Sequence, residues 1–272
     1  MSVSESRPFA SLTTDFGAAY SGTCAGVMYA IAPEANVLVL SDEVTPYRIV
    51  EGAMLLRQAL PYLPVGVHVG IIDPGVGTPR RPVAVATGRG DVLVGPDNGL
   101  LVPAAEALGG VTAAHYLENP AYRQPSISTT FHGRDIFAPA AGHLLAGVPI
   151  TDLGPAADAL LPLDLPAPVV ADGSLTASVL YTDQFGSLVL GAEPAELTAA
   201  FGELPFGTSL ELSWDGGEAR VPFEETFGKV AVGDPLVWVD SSGRLGIAVN
   251  QGSAAARFGL ADGMAVTITR AP

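Results

Sequence analysis

The sequence predicts an α/β fold: an N-terminal, mostly parallel sheet flanked by helices, followed by a smaller antiparallel β domain. Three observations carry this. Compact β-branched runs alternate with segments of helical period through the first 160 residues. A Pro- and Ala-rich stretch, "LGPAADALLPLDLPAPVVADG" (153–173), then holds no sustained period. Beyond it the pattern changes to short strands separated by turn signals.

The elements follow in order. "LTTDFG" (12–17) closes a weak apolar start and precedes the helical "AAYSGTCAGVMYAI", with apolar residues at helical spacing through "GTCAGVMYAIAPE" (22–34). "ANVLVLSDEV" (35–44), "GVHVGIIDPG" (66–75), "RPVAVATG" (81–88) and "DVLVGPDNG" (91–99) are apolar runs ended by Gly, Pro, Asp or Asn, the pattern of buried strands. Helical spacing marks "IVEGAMLLRQALPYL" (49–63), "GLLVPAAEALGG" (99–110) and "FAPAAGHLLAG" (137–147), the last closed by Gly147. Alternation of this kind implies parallel strands joined by crossover helices. In the C-terminal part "LTASVLYTD", "SLELSWDGGEARVPFEE", "PLVWVDSSGRLGIAVN" and "GMAVTITR" read as strands, with "WDGGEA" as a hairpin signal, and suggest a sandwich or small barrel. The expected organisation is an α/β domain over 1–160, a linker over 161–173 and a β domain over 174–272.

Composition bounds the function. The 272 residues are 48% hydrophobic and 15% charged, with positive mean hydropathy, so a large core is available and disorder is disfavoured. No apolar run reaches the roughly 18–20 residues that span a bilayer, and "MSVSESRPFASL" lacks the pattern of a signal peptide. Cys24 is the single cysteine, which excludes an internal disulfide framework and fits a reducing cytoplasm. A net charge of −15 disfavours a nucleic-acid partner.

Several stretches carry chemistry. Asp15 in "LTTDFG" stands where a strand gives way to a helix, as a carboxylate for a ribose diol or as an Asx turn or cap. "IIDPGVGTPRR" (71–81) ends a strand at Asp73, turns through two glycines and presents Arg80, so that Asp73 and Arg80 can face one point or form an ordinary surface pair. "GPDNGLL" places Asn98 at a third strand end, as a ligand contact or a helix cap. "STTFHGRDIFAPAAGHL" sets His132 against a partly desolvating apolar run, as a reactive group or a structural histidine. His68, His115 and His143 show no metal-ligand spacing, and no metal site is expected. Walker A, G-x-S-x-G, G-x-G-x-x-G and H-E-x-x-H signatures are lacking.

"LTTDFG", "VTPY…EGA", "DPGVGTPRR", "PDNGLL", "TFHGRDIFAPAA", "DQFG" and "IAVNQGSAA" occur in an order that resembles one family over residues 10–270. It is the S-adenosyl-L-methionine (SAM) hydroxide adenosyltransferases, or adenosine-forming SAM hydrolases, related to the SAM-dependent fluorinase and chlorinase. The resemblance implies a β-barrel-like C-terminal domain and a homotrimer with sites at subunit interfaces. It implies the reaction SAM + water → adenosine + L-methionine, with SAM as substrate and no cofactor. The family's hydrolytic trio falls on Asp73, Arg80 and His132, and its ribose carboxylate on Asp15, with the Tyr47 ring nearby. The acid that receives the methionine ammonium falls on Asp183. Phe227 is the candidate to stack on adenine, and Ser242 and the backbone near Gln251 are expected at the methionine carboxylate and purine edge.

The chain departs from that pattern at Ser187, where the family has Asn, and at Ser241-Ser242, where the halogenase branch has Ser-Arg. Two other readings compete with hydrolysis. One is a halogenase forming 5′-halo-5′-deoxyadenosine, disfavoured by a carboxylate at Asp73 that repels halide. The other is a SAM- or nucleoside-binding module without turnover.

Overall fold

The computed structural model describes residues 7–271. Residues 1–6, part of the stretch read as lacking a leader, lie outside the described residues. The chain divides into two compact units, with the break between Asp164 and Leu165.

The first unit is a six-stranded sheet between two helical layers. Its strands are β1 (Phe9–Thr14), β2 (Asn36–Ser41), β3 (Val67–Ile71), β4 (Pro82–Thr87), β5 (Val92–Pro96) and β6 (Val111–Tyr116), in the order β2-β1-β3-β5-β4-β6. β2, β1, β3 and β5 are parallel, and β4 runs antiparallel between β5 and β6. The β4–β5 hairpin explains why the sequence has no helical segment between its third and fourth apolar runs. β6 escaped the sequence reading because "VTAAHY" has small and polar residues and is half-exposed.

Helix α1 (Gly17–Ile31) pairs with α4 (Ala138–Leu145) on one face, and α2 (Ile49–Ala59) pairs with α3 (Val102–Ala107). The first pair, with Phe137 just ahead of α4, buries Cys24, Met28 and Ala141 against Leu12, Val69 and Val94. On the other side of β3, a Cβ at Gly70 would meet the tip of Leu56 of α2 at 2.8 Å and touch Leu100 and Leu101, so α2 and the 100–101 segment pack closely on the strand there. α1 opens directly after the Asp15 turn, where Gly17, at φ 79°, donates its N–H to the Asp42 carbonyl. Among the described residues no helix is long and apolar enough to cross a membrane.

The second unit closes into a barrel. β8 (Ser174–Thr182), β9 (Leu188–Leu190), β13 (Leu245–Val249), β12 (Pro235–Val239), β11 (Gly217–Phe223), β10 (Thr208–Trp214) and β14 (Ala265–Arg270) form the ring. The β14–β8 pairing closes it, and β7 (Val169–Ala171) extends β8 at one edge. Closure removes the open edges that a sandwich would keep. The barrel core is aliphatic, with Leu175, Leu188, Leu210, Val221, Val237, Ile247 and Ile268 all pointing inward. β10 and β11 turn through Asp215-Gly216, with Gly216 at φ 104°. α5 (Pro194–Phe201) caps this core through Leu197 and Phe201 and is nucleated by a reciprocal Glu193–Glu196 capping box.

Candidate functional site

Because β1, β3 and β5 are parallel, the residues just past their ends emerge together at the carboxyl edge of the sheet, the usual ligand crevice of an open α/β fold. Asp15 follows β1, Asp73 follows β3 and Asn98 follows β5.

The loop after Asp73 is tight. Val76 N–H donates to the Asp73 carbonyl and Thr78 N–H to the Gly75 carbonyl, each at 3.1 Å. Gly77 is at φ 77°, and a Cβ there would sit 2.7 Å from the Thr129 carbonyl oxygen. Glycine therefore lets this loop close onto the segment that carries His132.

Three ionisable side chains meet where the two segments touch. Arg80 Nε donates to Asp73 Oδ1 at 3.0 Å, and Nη2 donates to Asp73 Oδ2, giving a two-pronged fork. Nη2 also lies 3.1 Å from His132 Nδ1. Arginine has no lone pair to offer, so Nδ1 accepts, the imidazole is neutral and its proton sits on Nε2. Burial, reinforced by the Arg80 charge, holds the His132 pKa below the ordinary histidine value. The Asp73 and Arg80 side chains are only 6% and 7% exposed, so their charges interact largely out of water. The guanidinium also rests 5.2 Å from the centre of the Phe137 ring. Arg80 Nη1 is buried and has no hydrogen-bond partner among the described residues.

A cavity of about 90 Å³ adjoins two of the three, Asp73 and His132, and is also lined by Asp15, Tyr47, Thr130 and Phe131 among others. That is well above the roughly 10–15 Å³ a water needs. Asp15 Oδ2 accepts the Tyr47 N–H at 2.8 Å, and Tyr47 is held at φ 70°, a left-handed conformation that costs a non-glycine residue about 1–2 kcal/mol. Burial, aided by the Asp73 charge, raises the Asp15 pKa, opposed by the Tyr47 N–H. Asn98 is committed to the backbone: its Nδ2 donates to the Ile72 carbonyl at 2.9 Å, and its Oδ1 accepts from Leu100 N at 3.2 Å. It ties the end of β3 to the end of β5.

The barrel unit holds a second cavity, of about 570 Å³, lined by Phe185, Ser187, Phe227, Asn250, Gln251 and Ser253 among others. The Phe227 ring lies 5.2 Å from Trp238, and Gln251 is at φ 55°. Asp183 shapes this cavity from behind, its Oδ1 accepting from Phe185 N at 2.9 Å and Ser187 N at 2.8 Å. Ser242 stands apart: its N–H and Oγ both donate to Asp240 Oδ1, at 2.8 and 2.6 Å.

A separate network lies inside the first unit. Ser11 Oγ donates to His68 Nδ1 at 2.8 Å, and His68 Nε2–H donates to Asp91 Oδ1 at 3.1 Å. Arg89 holds Asp91 through Nε and Nη2, at 2.7 and 2.8 Å. The residue types are those of a serine hydrolase, but Ser11, His68 and Asp91 are all within 1% of complete burial, so no substrate reaches them. This network is structural. Its members lie 57 and 23 positions apart, and nothing local in the sequence announces it. Thr130 and Phe131 at the cavity were likewise missed, since neutral side chains beside a motif carry no chemical signature.

With this geometry in view, comparison with known proteins gives the class. A model of the SAM hydroxide adenosyltransferase N-terminal domain matches residues 10–154, and one of the C-terminal domain matches residues 177–267. The chain belongs to the SAM hydroxide adenosyltransferase family. A protein named (R)-S-adenosyl-L-methionine hydrolase from Salinispora tropica is 45% identical over 96% of this chain and 98% of its own. A protein of the same name from Salinispora arenicola is 43% identical over 97% and 98%. The crystal structure of an uncharacterized conserved protein from Thermotoga maritima superposes with a TM-score of 0.87, at 31% identity, covering 96% of this chain and all of the other.

Proposed function

We propose that this protein hydrolyses S-adenosyl-L-methionine to adenosine and L-methionine, by attack of an activated water on ribose C5′. One observation carries the proposal: Asp73, Arg80 and His132 converge, with a buried Arg80 Nη1 whose hydrogens no atom of the described residues accepts. A donor in that state suits an oxygen that becomes anionic.

The chemistry asks little of the leaving group. Sulfonium departs as a neutral thioether, so no general acid is required there. The barrier lies in making a competent oxygen nucleophile and aiming it. Arg80, always protonated, stabilises developing hydroxide. Each Asp73 oxygen keeps a lone pair beyond the Arg80 fork, so this carboxylate is suited to take the water's proton. His132 gives its Nδ1 lone pair to Arg80, which leaves Nε2–H to hold the water in line. General-base assistance of this kind typically contributes about 10²–10⁴-fold, and exact placement supplies much of the remainder.

Asp15 takes the ribose hydroxyls in this reading, with the Tyr47 ring against the sugar. Within the barrel unit, taken by itself, Phe227 and Gln251 are the residues proposed for a purine, and Asp183 the one proposed for an ammonium group. The engaged hydrogen bonds of Asn98 and Ser242 favour structural roles for both over direct contact with SAM. The reading calls on no cofactor. It includes a homotrimer; β2 is an edge strand, and Leu38 and Val39 on it are exposed, one on each face of the sheet.

The names of the relatives add the sulfonium configuration: we infer that the (R) epimer is the better substrate. Incubating purified protein with each SAM epimer, and separating products by chromatography, tests both points. Adenosine with methionine, formed faster from (R)-SAM, is expected. A 5′-halonucleoside as main product in chloride would establish the halogenase instead, and tight binding without product would establish a binding module.

A further inference from the structure

The segment that delivers His132 is held from behind by two residues that do not line the cavity. Between Gly133 and Phe137 the chain makes a wide π turn, with Ala138 N–H donating to the Gly133 carbonyl five residues back. The extra residue takes the Asp135 carbonyl out of the helical ladder, and it accepts Gln124 N–H at 2.9 Å. The Asp135 carboxylate, 1% exposed, turns back toward the preceding loop. Its Oδ2 accepts the Ser128 N–H at 2.7 Å and Arg134 Nη2 at 2.9 Å, and its Oδ1 accepts Arg134 Nε at 2.6 Å.

From that anchor the loop is built outward. Thr130 N–H donates to Ser128 Oγ at 3.2 Å. Phe131 is fixed by the Arg134 guanidinium, 5.1 Å from its ring centre, and by edge contacts with Phe16 and Tyr20. Thr130, Phe131 and His132 then line the cavity.

We propose that Asp135, oriented by Arg134, is a positioning residue: by clamping the Ser128 amide it holds segment 128–132 so that His132 meets Arg80. Only the kinetic consequence rests on the hydrolytic reading; the placement of His132 does not. A buried carboxylate needs its hydrogen bonds to offset desolvation, and once they are made it fixes its partners in place. Displacement of a reacting group by about 1 Å can cost on the order of 10²-fold in rate.

The test is Asp135→Asn, read by NMR titration of the His132 imidazole, assigned by its loss in His132→Gln. The charged groups around that ring are Arg80, Asp73, Arg123 and Asp135 itself. Removing the Asp135 charge while the ring stays in place lowers the imidazole pKa further. Release of the ring from Arg80 into solvent raises it toward the ordinary histidine value. The two outcomes differ in sign. A rise, with at least a tenfold fall in kcat for adenosine formation, is the expected result; a drop, or no change, overturns the positioning role. Should Asp135→Asn fail to fold, Arg134→Gln removes the fork without touching a charge that faces His132, and the same rise is expected. If the wild type makes no adenosine, the hydrolytic reading fails while the titration still decides the placement of His132.

Discussion

Arg80 Nη2 lies 3.1 Å from His132 Nδ1 and binds Asp73 with the same nitrogen, so one guanidinium edge joins residues 52 and 7 positions away. In the proposed reaction each member therefore depends on the other two. His132→Ala and Arg80→Ala are each expected to lower kcat by at least about tenfold with smaller effects on KM, the pattern of groups that act in the transition state. The wild-type kcat should stay flat through neutral pH and fall only on acidification below the ordinary histidine value of about 6.5, because burial and Arg80 keep the imidazole neutral to lower pH. Steady-state adenosine formation measured across pH checks both. An acid limb centred above that value contradicts the neutral imidazole.

Asp15 serves binding in this reading. Asp15→Ala should raise KM for SAM at least about tenfold and leave kcat within a few-fold, as expected for contacts made equally in ground and transition states. Burial raises the Asp15 pKa, so the wild-type KM should begin to climb on acidification before an ordinary carboxyl group would protonate. An unchanged KM in the variant contradicts the ribose role.

Gly77→Ala places a methyl group against the Thr129 carbonyl at a φ that disfavours every L side chain. It is expected to cost about 1–2 kcal/mol in strain alone and to push the 73–80 loop off the His132 segment. Denaturant unfolding should show the lost stability, and kcat should fall more steeply than for a distant substitution of equal cost. Wild-type kcat in a stable variant would mean that the two segments need not touch.

The Ser11–His68–Asp91 network makes the first unit acid-sensitive. Burial lowers the His68 pKa in the folded chain below its unfolded value of about 6.5. The stability this group contributes is therefore complete above about pH 6.5 and is lost as pH falls through the folded pKa. Asp91 is lowered too: burial opposes that shift, but Arg89, the Gly66 N–H and His68 outweigh it, so a second loss follows further down, below the ordinary aspartate value. His68→Gln cannot protonate, so its melting temperature should drop less between pH 7.5 and 5 than the wild type's, whatever its absolute stability. Parallel curves for the two proteins would place the acid sensitivity elsewhere.

Much of this molecule was legible in its linear order. Apolar runs and helical spacing marked most of the strands and helices, because burial on one face imposes a period that no other constraint erases. "DPGVGTPR" and "FHGRD" stood out because charged groups next to glycines and apolar residues are costly unless something uses them. What stayed hidden was short or half-exposed. β6 and β7 are largely exposed, and β9, though buried, and the helix over Ala254–Phe258 are only three and five residues long, too short to show a period.

By itself, the sequence determined the alternation of elements, the change to short antiparallel strands in the second half and the identity of the chemical groups, since each is written in local composition and spacing. The tertiary structure alone decided which of those groups meet. It brought His132 onto Arg80 and Asp73, committed Asn98 and Ser242 to backbone and turn, and sealed Ser11, His68 and Asp91 away from solvent. Such choices depend on strand order and loop closure across tens of residues, and hydrogen bonds of a few ångströms have no one-dimensional trace.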